Sequence, residues 1–351
     1  MSPEVSPAPG MPVELGEIER ELKKLWIDGE GTMTRASLVN LAVYSEEGGS
    51  LERNTQLVAK LTEEHACRAI VVAAEPTANE RRIEAWINAH CHVRGGAKQV
   101  CSEQVSILME GDVGLRLPSV LFAHLDSDLP LYLWWQAPLR APLDPQLWTW
   151  VDRVIYDSAS WGDFEEPWQL LLATAKEANR RMILCDLNWQ RLTPIRLAFA
   201  QFFDHPASHH HFATMDEVRI EFGAGFQKTA LLLAGWLAAQ LDWSDGETEP
   251  LVFSNGEGKK VKFDLQQSGE GPISALRARS GGIEFEVQRA GCGDLLEVGR
   301  GKAGQKKSHQ LLPYGETDLA SLVGAELMRG GKHEIYQHAV EKVRAHLGAP
   351  N

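Results

Sequence analysis

The sequence has few cysteines, no long apolar run and no excess of positive charge. Its 351 residues include five cysteines, an odd number spread along the chain, which excludes a disulfide-rich framework and is typical of a reducing compartment. The net charge of −13 argues against nucleic acid or an anionic membrane as the main partner, because both attract clustered Lys and Arg. The longest apolar stretch, Ala230 to Leu241, is much shorter than the roughly 20 residues that span a bilayer.

The start of the chain also lacks the features of a secretory signal. The first dozen residues contain four prolines and neither a basic nor an apolar segment, so we expect a disordered tail over residues 1–12. Together with the cysteine usage, this predicts a cytoplasmic protein. A chain of 351 residues is longer than one hydrophobic core usually serves. Two domains are therefore expected, over residues 13–182 and 183–349.

The hydrophobic pattern predicts an α/β fold. A β-rich run over residues 33–44, a helix-period segment over 51–65 and an apolar run over 69–73 follow one another with short links, which is typical of a parallel βαβ unit. Beyond residue 242 the composition shifts to short alternating runs. We therefore predict an N-terminal domain with a mixed sheet and flanking helices, and a C-terminal α/β domain with an added antiparallel sheet.

Two β-like stretches in the N-terminal half flank a pair of glycines. They cover residues 81–93 and 99–109, and the glycines between them predict an antiparallel hairpin. Such a hairpin would bring Cys91 near Cys101. Apart from this pair, the cysteines give no reason to expect thiol regulation.

A glycine-rich segment, Glu221 to Thr229, lies between a predicted strand and a predicted helix, where backbone N–H groups often hold phosphates. It departs from both common phosphate motifs. A Walker loop needs Gly where Gln227 stands, and a dinucleotide fingerprint needs Gly where Lys228 stands. Two interpretations stay open, a simple tight turn and a weak anion site. The anion site would consist of Gly223, Gly225, Lys228 and Thr229.

The densest polar and aromatic segment begins at Asp186 and ends at Arg196. In one interpretation, Asp186 caps a helix that has Pro194 in its first turn. In another, the segment binds a partner protein, because Arg and Trp often anchor interfaces. A third possibility is that the arginines pair internally with Asp186 or Asp204. The residues of the partner-binding hypothesis are Asp186, Asn188, Trp189, Arg191 and Arg196.

Patterns typical of metal sites and nucleophiles are missing. The adjacent histidines from His209 to His211 point in different directions, and on a strand Cys91 would face away from His90 and His92. The nucleophile elbow of hydrolases does not occur. We therefore predict no metal, no cofactor and no catalytic residue, and we expect that the protein is not an enzyme.

Several long strings resemble the OpcA family. RASLVNLAVYS, LPLYLWWQAP, DRVIYDSASW, DLNWQRLTPIR and ALLLAGWLAAQL occur in the family's order, and the similarity runs from about residue 33 to residue 345. The resemblance implies a two-domain α/β fold. It also implies a non-catalytic assembly factor and allosteric activator that binds glucose-6-phosphate dehydrogenase in the oxidative pentose phosphate pathway.

The residues alone leave one alternative function open. The Gly223–Lys228 loop and the Asp186–Arg196 segment together would suit an enzyme that binds a sugar phosphate, since both combine positive charge with helix starts. A turnover screen with sugar phosphates and nicotinamide cofactors separates this alternative from a partner protein.

Overall fold

The computed structural model describes residues 9–27, 33–93, 99–111, 116–177, 182–245, 251–291, 293–305 and 308–347. The chain divides into two compact units, and this confirms a two-domain α/β protein. The first unit contains Met1–Tyr156, Gln169–Cys185 and Asp318–Gly331, and the second contains Asp157–Trp168, Asp186–Thr317 and Lys332–Asn351. The sequence predicts continuous domains over 13–182 and 183–349, whereas each unit takes segments from both halves of the chain.

The described residues form the following strands and helices. The strands are β1 Met11–Val13, β2 Met33–Arg35, β3 Asn40–Ser45, β4 Arg68–Glu75, β5 Arg82–Val93, β6 Gln99–Glu110, β7 Leu131–Trp135, β8 Arg153–Tyr156, β9 Ile183–Asp186, β10 Met215–Phe222, β11 Ser244–Asp245, β12 Val252–Ser254, β13 Lys260–Gln267, β14 Ala275–Ser280, β15 Ile283–Arg289, β16 Leu295–Lys302 and β17 Ser308–Pro313. The helices are α1 Ile18–Ile27, α2 Ser50–Thr62, α3 Leu117–Phe122, α4 Pro145–Trp148, α5 Glu165–Glu177, α6 Leu187–Gln190, α7 Thr193–Ala200, α8 His210–Thr214, α9 Gln227–Gln240, α10 Leu319–Met328 and α11 Glu334–Leu347.

The first unit is built on a mixed sheet with the order β1-β5-β6-β4-β3-β7-β8-β9. The predicted βαβ unit is confirmed, because β3 pairs in parallel with β4 and α2 connects them. Parallel pairs also join β4 to β6, β3 to β7 and β7 to β8. Residues such as Val43, Ile70 and Leu133 are fully buried, as expected for strands covered on both faces.

The predicted hairpin is confirmed as β5 and β6, which pair antiparallel along their whole length. Cys91 lies directly opposite Cys101, and the two form a disulfide. The chain therefore holds one disulfide although its cysteine usage suggested a reducing compartment. Cys67 and Cys185 are buried thiols, and Cys292 lies outside the described residues.

The predicted disordered tail of residues 1–12 needs a correction at its end. Met11 and Pro12 belong to β1, which pairs antiparallel with β5 and places Met11 opposite Ile87. A strand partner supplies these residues with backbone hydrogen bonds that their composition alone does not reveal. Residues 1–8 lie outside the described residues.

The second unit contains a sheet with the order β11-β12-β13-β10-β14-β15-β16-β17. β10 pairs in parallel with β13, and the other neighbouring pairs are antiparallel. The late strands therefore add antiparallel pairs to the α/β domain, as predicted, and they do so by extending the sheet that contains β10.

Helix α9 is apolar on all sides, as expected for a core helix. Its residues from Lys228 to Ala238 are buried. At Gly235 a side chain would meet the carbonyl oxygen of Ala339 and approach Cγ2 of Val343 to 3.0 Å, so the backbones of α9 and α11 lie very close. Among the described residues, none of the helices is long and apolar enough to cross a membrane.

We expect Gly235→Ala to destabilise the second unit by about 1–3 kcal/mol, because the added methyl group forces α9 away from α11. Denaturant unfolding measures the change. Gly256→Ala is the matched control, since a side chain at Gly256 meets no atom within 4 Å. Equal stability of the two variants would contradict the close packing.

Candidate functional site

A buried carboxylate lies at the start of the segment that the sequence analysis singled out. Asp186 ends β9 and is the N-cap of α6, whereas the helix with Pro194 in its first turn is α7, whose N-cap is Leu192. One of its oxygens accepts hydrogen bonds from the backbone N–H groups of Ser158 (3.0 Å) and Asn188 (2.9 Å). The other accepts from the hydroxyls of Ser158 (2.6 Å) and Tyr336 (2.9 Å). Four donors therefore surround one fully buried carboxyl group.

The hydrogen bonds continue from Asp186 to helix α9. Asn188 donates through Nδ2 to the Ser158 hydroxyl at 3.1 Å, and its Oδ1 accepts from the hydroxyl of Thr229 at 2.5 Å. We call this set of five residues the Asp186 network. All five side chains are buried, and the network is composed of Asp186, Ser158, Asn188, Thr229 and Tyr336.

Burial controls the electrostatics of the network. Removal from water raises the pKa of Asp186 to about 6, although the hydrogen bond from the Ser158 hydroxyl opposes the shift. The nearby charge of Asp157 adds to the increase. Near neutral pH, the carboxyl group therefore holds a negative charge at a considerable cost in solvation.

The two arginines of the segment are both engaged within the second unit. Arg191 forms a two-pronged ion pair with Asp157 at 2.7 and 2.6 Å. Burial acts to lower the pKa of Arg191, but the hydrogen bond to Asp157 and the negative charges of Asp157 and Asp186 together outweigh it and raise the pKa above its usual value. The internal pairing that the sequence leaves open is therefore present, with Asp157 in place of Asp186 or Asp204.

Arg196 has a different environment from Arg191. Its guanidinium carbon lies 3.8 Å from the centre of the Trp189 ring, which is a close cation–π contact. It also donates to the Thr193 hydroxyl at 3.0 Å. Trp189 itself is 1% exposed. The structure thus places the side chains of Asp186, Asn188 and Trp189 inside the second unit. Their role in partner binding stays a prediction.

The glycine-rich loop has identifiable backbone constraints. Gly223 donates its N–H to the carbonyl oxygen of Gly271 at 2.9 Å, and a side chain there would collide with the backbone of Gly271. Gly225 has a φ of +82°, a conformation that favours glycine. A tight turn therefore explains both glycines without a ligand. The prediction of an anion site over Gly223, Gly225, Lys228 and Thr229 is not tested by these contacts.

Lys228 is the unusual residue of this loop. It lies in the first turn of α9, where the N-cap Phe226 supplies no side-chain hydrogen bond, and it is 3% exposed. Burial lowers the pKa of Lys228, and the charge of Asp163 opposes that shift. Within the described part of the chain, the side chain of Lys228 has neither a hydrogen bond nor an ion pair. Its neighbour Thr229, by contrast, belongs to the Asp186 network.

The histidines and cysteines considered as ligands have other contacts. Cys91 and Cys101 are bonded to each other and so cannot hold a metal as thiolates. His211 Nδ1 lies 2.9 Å from the Ser280 hydroxyl, and His209 Nε2 lies 3.0 Å from the Phe203 carbonyl oxygen. His90 Nε2 lies 2.9 Å from Oε1 of Gln104.

Sequence reasoning missed three residues of this region: Asp157, Ser158 and Tyr336. Asp157 and Ser158 directly follow β8, as Asp186 ends the neighbouring strand β9. Polar residues at the ends of two adjacent buried strands were the available signal. For Tyr336 we find no such signal, because it lies 150 positions from Asp186 in a helix that is otherwise amphipathic.

The raised pKa of Asp186 predicts a pH-dependent stability. A group whose pKa is higher in the folded state stabilises the fold at low pH and loses that contribution as the pH rises through about 6. When the pH is lowered from 7 to 5, the contribution of Asp186 to the free energy of unfolding should therefore increase by on the order of 1 kcal/mol. Denaturant titrations of the wild type and of Asp186→Asn, followed by tryptophan fluorescence, isolate this contribution. Identical pH dependence in both proteins would contradict it.

Comparison with known proteins gives matches in both halves of the chain. Residues 58–176 match a family model described as the N-terminal domain of a glucose-6-phosphate dehydrogenase subunit, and residues 183–340 match the corresponding C-terminal domain. OxPP cycle protein OpcA of Synechocystis sp. is 25% identical over 80% of this chain. The match spans 63% of that relative, so this chain covers less than two thirds of its length. The protein of the same name from Nostoc punctiforme is 23% identical over 95% of this chain and 78% of its own length.

Among solved structures, two align with most of this chain at low sequence identity. UDP-N-acetylglucosamine 3-dehydrogenase from Acidithiobacillus ferrooxidans aligns over 90% of this chain and 97% of its own, with a TM-score of 0.46 and 9% identity. The aldose–aldose oxidoreductase from Caulobacter crescentus aligns over 88% of this chain and 95% of its own, with a TM-score of 0.48 and 10% identity. The two family models, together with these OpcA relatives, establish that the chain belongs to the OpcA family.

Proposed function

We propose that this protein is a non-catalytic partner of glucose-6-phosphate dehydrogenase that promotes its assembly or activates it. The observation that carries the proposal is the match of both halves of the chain to domains described as parts of a glucose-6-phosphate dehydrogenase subunit.

The state of the Asp186 network supports a structural role for the most polar segment. A general acid or base must reach its substrate, directly or through one water. Asp186 is completely buried, and each of its oxygens already accepts two hydrogen bonds from the protein. A pKa of about 6 would otherwise suit acid–base chemistry, but here it has burial as its cause.

Binding is tested by mixing the protein with the glucose-6-phosphate dehydrogenase of the same genome. We expect the two to co-elute in size-exclusion chromatography, and we expect the dehydrogenase to gain activity at low glucose 6-phosphate. An unrelated acidic protein of similar size serves as the control. Separate elution together with unchanged kinetics at micromolar concentrations would refute the proposal.

The partner-binding hypothesis for the Asp186–Arg196 segment is tested best at Arg191. Because Arg191 pairs with Asp157 and its side chain is only 12% exposed, we expect Arg191→Ala to lower the stability of the second unit. The expected loss is about 1–3 kcal/mol, between the values for exposed and for buried ion pairs. Binding to the dehydrogenase should then fall only in proportion to the loss of folded protein.

The matched control for this variant is Arg279→Ala. Arg279 pairs with Glu217 at 2.7 Å, but its side chain is 44% exposed, so we expect its loss to change stability little. Melting curves and binding are measured for both variants. An Arg191→Ala protein that melts normally but binds the dehydrogenase weakly would support the interface hypothesis instead.

A sugar-phosphate-binding enzyme remains the second candidate because of Lys228. A buried ammonium group with a lowered pKa and no partner among the described residues is unusual outside functional sites. Turnover of sugar phosphates with nicotinamide cofactors by the purified protein, lost in Lys228→Met, would favour this candidate over the partner protein.

A further inference from the structure

The strand order of the first unit raises the question of a nucleotide cofactor. Six strands of the first unit can be numbered 1 to 6 in the order in which they occur along the chain: β3, β4, β6, β7, β8 and β9. Across the sheet these six strands lie in the order 3-2-1-4-5-6. This is the doubly wound order of dinucleotide-binding domains. In such sheets the ligand lies outside the carboxyl ends of the strands where the order reverses, which here is between β3 and β7.

The turn that would hold the pyrophosphate has the wrong residues for it. In a dinucleotide site, the first strand is followed by a glycine fingerprint, and the phosphates lie at the start of the next helix. Here β3 is followed by Glu46 and Glu47, and α2 carries Glu52 in its first turn. The sequence from Ser45 to Ser50 does not match the fingerprint. Three carboxylates therefore stand where a dianionic ligand would need N–H groups and positive charge.

Nearby arginines do not reverse this charge. Glu46 accepts hydrogen bonds from Arg140 at 2.7 Å and from the Tyr44 hydroxyl at 3.0 Å. Glu47 pairs with Arg53 at 2.8 Å. Each arginine thus neutralises a glutamate of the turn and presents no surplus charge to a phosphate. Such contacts hold the glutamates in the turn.

The crevice at the reversal point is also closed by side chains of the protein. The amides of Asn54 and Gln136 bond reciprocally, at 3.1 and 2.9 Å. Ser45 donates to the hydroxyl of Ser50 at 2.8 Å. Asn54 lies on α2, and Gln136 directly follows β7, so their pairing joins the helix to the strand across the crevice.

One element of a dinucleotide site is retained. Glu75 is the last residue of β4, the second strand of the series, where an acidic residue commonly binds the ribose of the cofactor. A ribose contact alone cannot hold a dinucleotide whose phosphates meet carboxylates. The surroundings of Glu75 therefore do not restore the site.

We propose that the first unit keeps the dinucleotide-binding topology but does not bind NAD or NADP, because glutamates occupy its phosphate turn and paired side chains close its crevice. The inference concerns this chain alone and does not depend on the proposed partnership. In a complex with a dehydrogenase, the nicotinamide cofactor would be held by the dehydrogenase.

The test is direct titration of the full chain with NADPH, NADP and NAD up to 1 mM, followed by nicotinamide fluorescence for NADPH and by calorimetry for all three. A known NADP-dependent dehydrogenase in the same buffer is the positive control. We expect no saturable binding to this protein. Saturable binding of any of the three with a Kd below about 1 mM would overturn the proposal.

A double variant tests the charge of the phosphate turn separately from the closure of the crevice. Glu46→Gln combined with Glu47→Gln removes two of the three negative charges of the turn and leaves the Asn54–Gln136 pair intact. We expect this variant to bind no dinucleotide either, because the crevice stays closed. Binding of NADPH by the variant with a Kd below about 1 mM would show that the crevice is open and would overturn the inference of closure.

Discussion

A carboxyl group that is removed completely from water needs hydrogen-bond donors, and in the second unit Asp186 finds them on separate parts of the chain. Ser158 comes from the segment 157–168, and Tyr336 from the segment 332–351. Asn188 belongs to the same segment as Asp186, and it extends the network to Thr229 at the start of α9. All three segments of the unit therefore contribute to solvating one charge. A missing donor would leave that charge unsatisfied in a low-dielectric interior, which is far more costly than the loss of an exposed hydrogen bond.

The features that follow from local sequence were predictable. The βαβ unit, the β5–β6 hairpin and α9 all arise from apolar periods or glycine pairs within about thirty residues, and so does the cap at Asp186. Features that depend on distant residues were not. Asp157 lies 34 positions from Arg191, and no local pattern marks the two as partners. The edge strand β17 and its neighbour β16 were missed, since β16 contains Gly299 and Gly301 and its alternation is weak.

The candidate site shows why residue types alone were ambiguous. A helix cap and a partner-binding anchor both use Asp, Asn and Arg near the start of a helix. Burial distinguishes them, and burial depends on segments that lie far away in the sequence. Trp189 is an example, because it packs against Tyr336 with ring centres 5.5 Å apart and is almost completely enclosed. Gly223 is a second example of a residue whose role depends on a distant segment. A glycine is needed there because the backbone of Gly271, which is distant in sequence, lies against it.

Both units illustrate that a fold permits a function without requiring it. Polar side chains at the carboxyl ends of strands usually indicate a ligand, since that edge of a sheet is where crevices form. In the first unit Asn54 bonds to Gln136 and Ser45 bonds to Ser50, and in the second unit Asp186 accepts hydrogen bonds from Ser158, Asn188 and Tyr336. Polar groups whose hydrogen-bonding capacity is already used within the chain have little left to offer a substrate. Lys228 differs, because it is buried and its side chain has no hydrogen bond or ion pair within the described part of the chain, although the charge of Asp163 opposes the cost of burial. A buried polar residue therefore indicates a site when its interactions are incomplete, and its position in the fold alone is weaker evidence.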